Sequence, residues 1–134
     1  MNSSEYFAYA NDFYNNRQYS KAISYYEKAI NIKKADFDKS EIKENNFLAN
    51  CYYNIATCYI KLYNYELSIK YNKLALKYYA KMSKYYFNLG YCYTQLSKFK
   101  LAYIYFNKAW ALDNSDNECE KALKFLDKRL SFIN

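Results

Sequence analysis

The sequence contains no proline, no histidine and a single glycine, Gly90. Without glycine and proline the tight turns that strand hairpins require are nearly unavailable, while the abundant Leu, Lys, Ala and Glu favour helix. The chain is therefore expected to be all-α. The missing histidine removes the usual general base, and neither a glycine-rich phosphate loop nor a nucleophile elbow is present. Acidic residues such as Glu27, Asp36 and Asp38 read as parts of solvated faces, so the chain is not expected to be an enzyme.

Four cysteines, Cys51, Cys58, Cys92 and Cys119, include no Cys-x-x-Cys pair, and with no histidine the usual zinc ligand sets cannot be assembled. No metal and no cofactor are expected. The thiols read as reduced, small buried hydrophobes in a reducing compartment. No segment reaches the roughly 18 apolar residues that span a bilayer. The opening stretch "MNSSEYFAYANDFYNN" lacks a basic segment followed by an apolar core. A cytoplasmic protein without membrane association is expected. Net charge is +7, yet the lysines are scattered through helical pattern with no run of five or six basic residues, so nucleic acid is not an expected partner.

What the chain has in quantity is aromatic: 20 Tyr and 9 Phe in 134 residues, a length that fits one domain. At that frequency a single tyrosine identifies nothing, and only pattern carries weight. In "CYYNIATCYIKL" (51–62), Tyr52, Ile55, Ala56 and Tyr59 fall on one helical face, and Asn54 stands beside that face. The stretch "NIATCYIKLYNYELSIKYNKLALKY" (54–78) lies over "NLGYCYTQLSKFKLAYIYFNKAWAL" (88–112) at an offset of 34 residues. "YANDFYNNRQYSKAISYYEKAINI" (9–32) lies over the same pattern, 46 residues ahead of the second copy. Small residues recur at Ala10, Ala56 and Gly90, at Ala22, Ser68 and Ala102, and at Ala29, Ala75 and Ala109. Large ones recur at Phe13, Tyr59 and Tyr93 and at Tyr26, Asn72 and Phe106. Small residues let two antiparallel helices approach closely, and large ones fill the holes that remain.

This pattern resembles the tetratricopeptide repeat, a helix-turn-helix unit of 34 residues. The resemblance implies a single domain over 1–134: three repeats at about 3–36, 49–82 and 83–116 in a right-handed superhelix, with an insertion at about 37–48. A capping helix follows at about 117–133, with Leu123, Leu126, Leu130 and Ile133 on its covering face. Within the family, this repeat set is similar to the domains of immunophilin-type co-chaperones. These hold the acidic C-terminal peptide of heat-shock chaperones in a two-carboxylate clamp of lysine, arginine and asparagine donors. Carried over by position, the clamp asparagines fall on Asn11 and Asn54, a clamp lysine on Lys84 and a further basic position on Lys61. Two positions depart, since Phe7 stands where the clamp has a lysine and Asn88 where it has an arginine. The implied function is a protein-interaction module for a chaperone C-terminus in a concave groove. The alternative is a scaffold for an unrelated peptide or protein partner, held through the aromatic residues Phe7, Tyr53, Phe87 and Tyr91.

Overall fold

The computed structural model describes residues 1–36 and 45–133, and among them every regular element is a helix. Three begin on an asparagine, the side chain of which accepts from an otherwise orphaned backbone N–H. Asn2 opens α1 (Ser3–Asn15), accepting from the Glu5 N–H at 2.8 Å while Glu5 accepts back from Asn2, a complete capping box. After α2 (Tyr19–Ala35), Asn45 caps α3 (Asn46–Lys61) through the Leu48 N–H and Asn64 caps α4 (Tyr65–Tyr78) through the Leu67 N–H. α5 (Ser83–Gln95) and α6 (Phe99–Leu112) start without a side-chain cap, and Asp116 accepts from the N–H groups of Glu118 and Cys119 at the start of α7 (Asn117–Ile133). Of the insertion expected at 37–48, residues 37–44 lie outside the described residues, and the helix after it starts at Asn46.

The chain forms two compact units, Met1–Ala80 and Lys81–Asn134. In the first, α1 packs on α2, α2 on α3 and α3 on α4; in the second, α5 packs on α6 and α6 on α7. The recurring small residues lie where the helices meet. Ala10, Ala22, Ala29, Ala56, Ser68 and Ala75 are fully buried in the first unit, as is Ala102 in the second. Gly90 has a physical reason of its own: a Cβ there would lie 2.7 Å from the Phe106 ring, closer than packed atoms come. All four cysteines are buried, as expected of small hydrophobes, and burial pushes the Cys51 and Cys58 thiols up to about 12.

Each helical hairpin is closed by ring contacts as well as by small residues, tilted in the first hairpin and stacked in the other two. Tyr25 of α2 meets Phe13 and Tyr6 of α1 with centroids 5.0 and 5.9 Å apart. Tyr71 of α4 meets Tyr59 and Tyr52 of α3 at 5.5 and 6.2 Å. In the second unit Tyr105 meets Tyr93 and Tyr86 at 5.4 and 6.5 Å. A lysine covers each of these ring groups, Lys28 at 4.5 Å from the Tyr25 centroid, Lys70 at 5.7 Å from that of Tyr71 and Lys108 at 5.2 Å from that of Tyr105.

On α7, Cys119 and Leu126 are buried, Leu123 and Leu130 half-buried, and Lys121, Lys124, Lys128 and Arg129 exposed, so one face is covered and the other wet. Asn72 departs from its expected part as a filler. It is fully buried, its Nδ2 donates to Ser68 Oγ at 3.4 Å, and its Oδ1 has no partner.

Candidate peptide-binding site

The second asparagine of the clamp pattern, Asn54, is half-buried in mid-α3, one residue before the fully buried Ile55. That placement turns it toward α1 and α2. With Asn11 and Tyr14 of α1, Tyr26 of α2, and Tyr53 and Thr57 of α3 it lines a pocket of about 250 Å³ inside the first unit. Among the described residues none of this lining carries a formal charge.

One tyrosine orients the Asn11 amide. The Tyr26 hydroxyl donates to Asn11 Oδ1, which leaves the Asn11 Nδ2 protons for another acceptor. Burial pushes the Tyr26 phenol well above the ordinary tyrosine range, and a hydrogen bond from the Asn54 amide works in the opposite direction. Tyr14 is also pushed up, mainly by burial, so both phenols stay protonated at neutral pH. The Thr57 hydroxyl is turned inward along its own helix, donating to the Tyr53 carbonyl at 3.0 Å. With the Tyr26 and Thr57 protons already spent inside the protein, the neutral pocket offers a ligand chiefly the Asn11 Nδ2 donors, which complement an oxygen acceptor.

The other expected contacts lie elsewhere. Phe7 is half-buried and packs edge-on to Tyr26 at 5.6 Å and against Phe47 at 5.5 Å, in a cluster adjoining the pocket residues. Lys61 is exposed in the last turn of α3, one turn beyond the pocket lining. On the second unit Lys84 is exposed in the first turn of α5, and Phe87 packs edge-on to Phe106 at 5.2 Å. Asn88 is half-buried there, with a buried Nδ2 that has no hydrogen-bond partner. Of the residues expected at the site, the structure thus brings Asn11, Asn54 and Tyr53 to one pocket. Tyr26, Tyr14 and Thr57 join them unannounced. For Tyr26 a signal existed: the repeat places Asn72 and Phe106 at its equivalents, so it alone of the three has a hydroxyl to offer a neighbouring amide.

The sequence matches the tetratricopeptide repeat family over residues 6–36 and 83–116. No curated protein matches it. Among solved structures the chain is similar to the tetratricopeptide domain of Arabidopsis OM64, with 24% identity, 95% of each chain covered and a TM-score of 0.81. It is also similar to the C-terminal repeat domain of a Plasmodium falciparum FK506-binding protein, with 21% identity, 98% of this chain and 89% of the other covered and a TM-score of 0.81. A third is the first repeat domain of Spaghetti (RPAP3), bound to the HSP90 peptide SRMEEVD, with 17% identity, 96% and 95% covered and a TM-score of 0.81. The chain carries tetratricopeptide repeats, and α3 with α4 reproduces the ring-closed hairpin of the two matched segments. Repeats of this kind are generally protein-interaction modules and not catalysts. Among the described residues no helix is long and apolar enough to cross a membrane.

Proposed function

We propose that the chain is a peptide-binding module for the acidic C-terminus of a heat-shock chaperone, the terminal carboxylate entering the pocket formed by Asn11, Asn54 and Tyr26. The observation that carries this reading is the convergence of the two clamp asparagines on one concavity, where the Tyr26 hydroxyl holds Asn11. Carboxylates accept hydrogen bonds and donate none, which suits amide N–H donors. The solved relative with a bound HSP90 peptide shares this fold and so supports the reading by analogy. The competing aromatic-scaffold reading draws less support, because Phe7 and Phe87 already pack edge-on against Tyr26 and Phe106.

The test is capture from native lysate on the immobilised protein, with bound partners identified by mass spectrometry. A heat-shock chaperone is expected among them, released by excess free SRMEEVD peptide and recovered poorly on an Asn54→Ala bait. Partners that stay bound in excess peptide, and equally on both baits, would replace the acidic-tail reading with a general scaffold.

A further inference from the structure

The hydrogen bond that Tyr26 makes has a direction, and direction decides what a pocket of amides accepts. The Tyr26 hydroxyl donates to Asn11 Oδ1, and Asn54 lines the same pocket. An amide offers either an acceptor or two donors, depending on which end is turned outward, and its hydrogen-bond network makes that choice. Here the acceptor of Asn11 is taken by a phenol that burial keeps protonated, so the donor end is what remains for a ligand. The hydroxyl is absent from the equivalent place in the second unit, where Phe106 fills the same position with a bare ring.

We propose that Tyr26 is the positioning residue that gives the pocket its specificity: by holding Asn11 donor-outward, it makes the site select a free carboxylate over a carboxamide. A C-terminal amide would set its own N–H donors against those of Asn11, whereas a carboxylate presents acceptors to all of them. The pocket lining is neutral, so this selectivity comes from the direction of hydrogen bonds and is little affected by salt. The proposal rests on the acidic-tail reading for its ligand and on Tyr26 alone for its mechanism.

The informative variant is Tyr26→Phe, since the repeat already accommodates a phenyl ring at that place. Affinities for SRMEEVD as free acid and as C-terminal amide are compared for the native chain and the variant. The native chain is expected to prefer the free acid by about tenfold or more, and the variant to lose most of that preference at an unchanged melting temperature. A readout without ligand accompanies it: the side-chain amide NMR signals of Asn11 should move in Tyr26→Phe and stay in place in a variant outside the pocket lining, Tyr105→Phe. If the native chain prefers the free acid and Tyr26→Phe does so equally, Tyr26 has no positioning role, although the acidic-tail reading stands. Amide signals that do not move contradict the hydrogen bond from Tyr26. A native chain that binds both peptides alike overturns the carboxylate reading, and the specificity role with it.

Discussion

Gly90 shows what one residue decides in this chain. It is the only glycine, and it sits inside α5, where alanine would form better helix by about 1 kcal/mol. Against that gain stands the Phe106 ring, 2.7 Å from the place a Cβ would occupy, 3% exposed and braced edge-on by Phe87. Overpacking a close-packed contact costs about 1–3 kcal/mol, so packing outweighs propensity. Gly90→Ala is accordingly expected to destabilise the protein by about 1 kcal/mol in urea unfolding, and Phe106→Leu in the same chain should recover part of the loss. A higher midpoint for Gly90→Ala alone would mean that the ring yields freely. Ala10 and Ala56, the equivalents of Gly90 in the repeat, carry the extra methyl and are fully buried.

At the scale of elements, the turns inside the three hairpins are built alike. Arg17, Tyr63 and Ser97 adopt φ of 62°, 60° and 59°, each following a helix in the left-handed position that glycine prefers. The helix ends are closed by paired backbone bonds, such as Tyr63 N–H to Ile60 and Asn64 N–H to Tyr59 at 3.0 and 2.9 Å. The geometry is thus enforced by the bonds around it, and a side chain there is strained by about 1–2 kcal/mol. Tyr63 is 80% exposed and has little packing to lose. Tyr63→Gly should stabilise the protein by about 0.5–1 kcal/mol, once the greater freedom of glycine in the unfolded chain is set against the relieved strain. The check is the denaturation midpoint, which should rise at constant m-value; a fall would show that the tyrosine makes contacts worth more than the strain.

These elements also show where the sequence was legible. Helix pairs could be read from alanines at fixed spacing because close approach tolerates so few residue types. The ring contacts of Tyr25, Tyr71 and Tyr105 recur at the same intervals, yet they were masked, because in a chain with 20 tyrosines any one of them looks like background. Asn72 looked like a filler from its place in the repeat, whereas its buried, unpartnered Oδ1 depends on what surrounds it in three dimensions.

For the molecule as a whole, the repeats fix the helical fold, and what distinguishes this chain is the chemistry set into them. Phe7 and Asn88 stand where the clamp that the repeats resemble has cations, and the pocket lined by Asn11 and Asn54 is neutral. The asparagine positions could be read from the repeat register. The bond that orients Asn11 could not, because it depends on Tyr26 reaching from α2 to α1. The net charge of +7 still favours acidic partners at long range and adds a component that salt screens. The most direct test of this account is calorimetric titration of the native protein with SRMEEVD at low and at moderate salt, and with Asn11→Ala alongside. Binding should be measurable for the native protein, weaken only in part as salt rises, and fall about tenfold or more in Asn11→Ala. No binding at low salt, or an affinity that Asn11→Ala leaves unchanged, would contradict it.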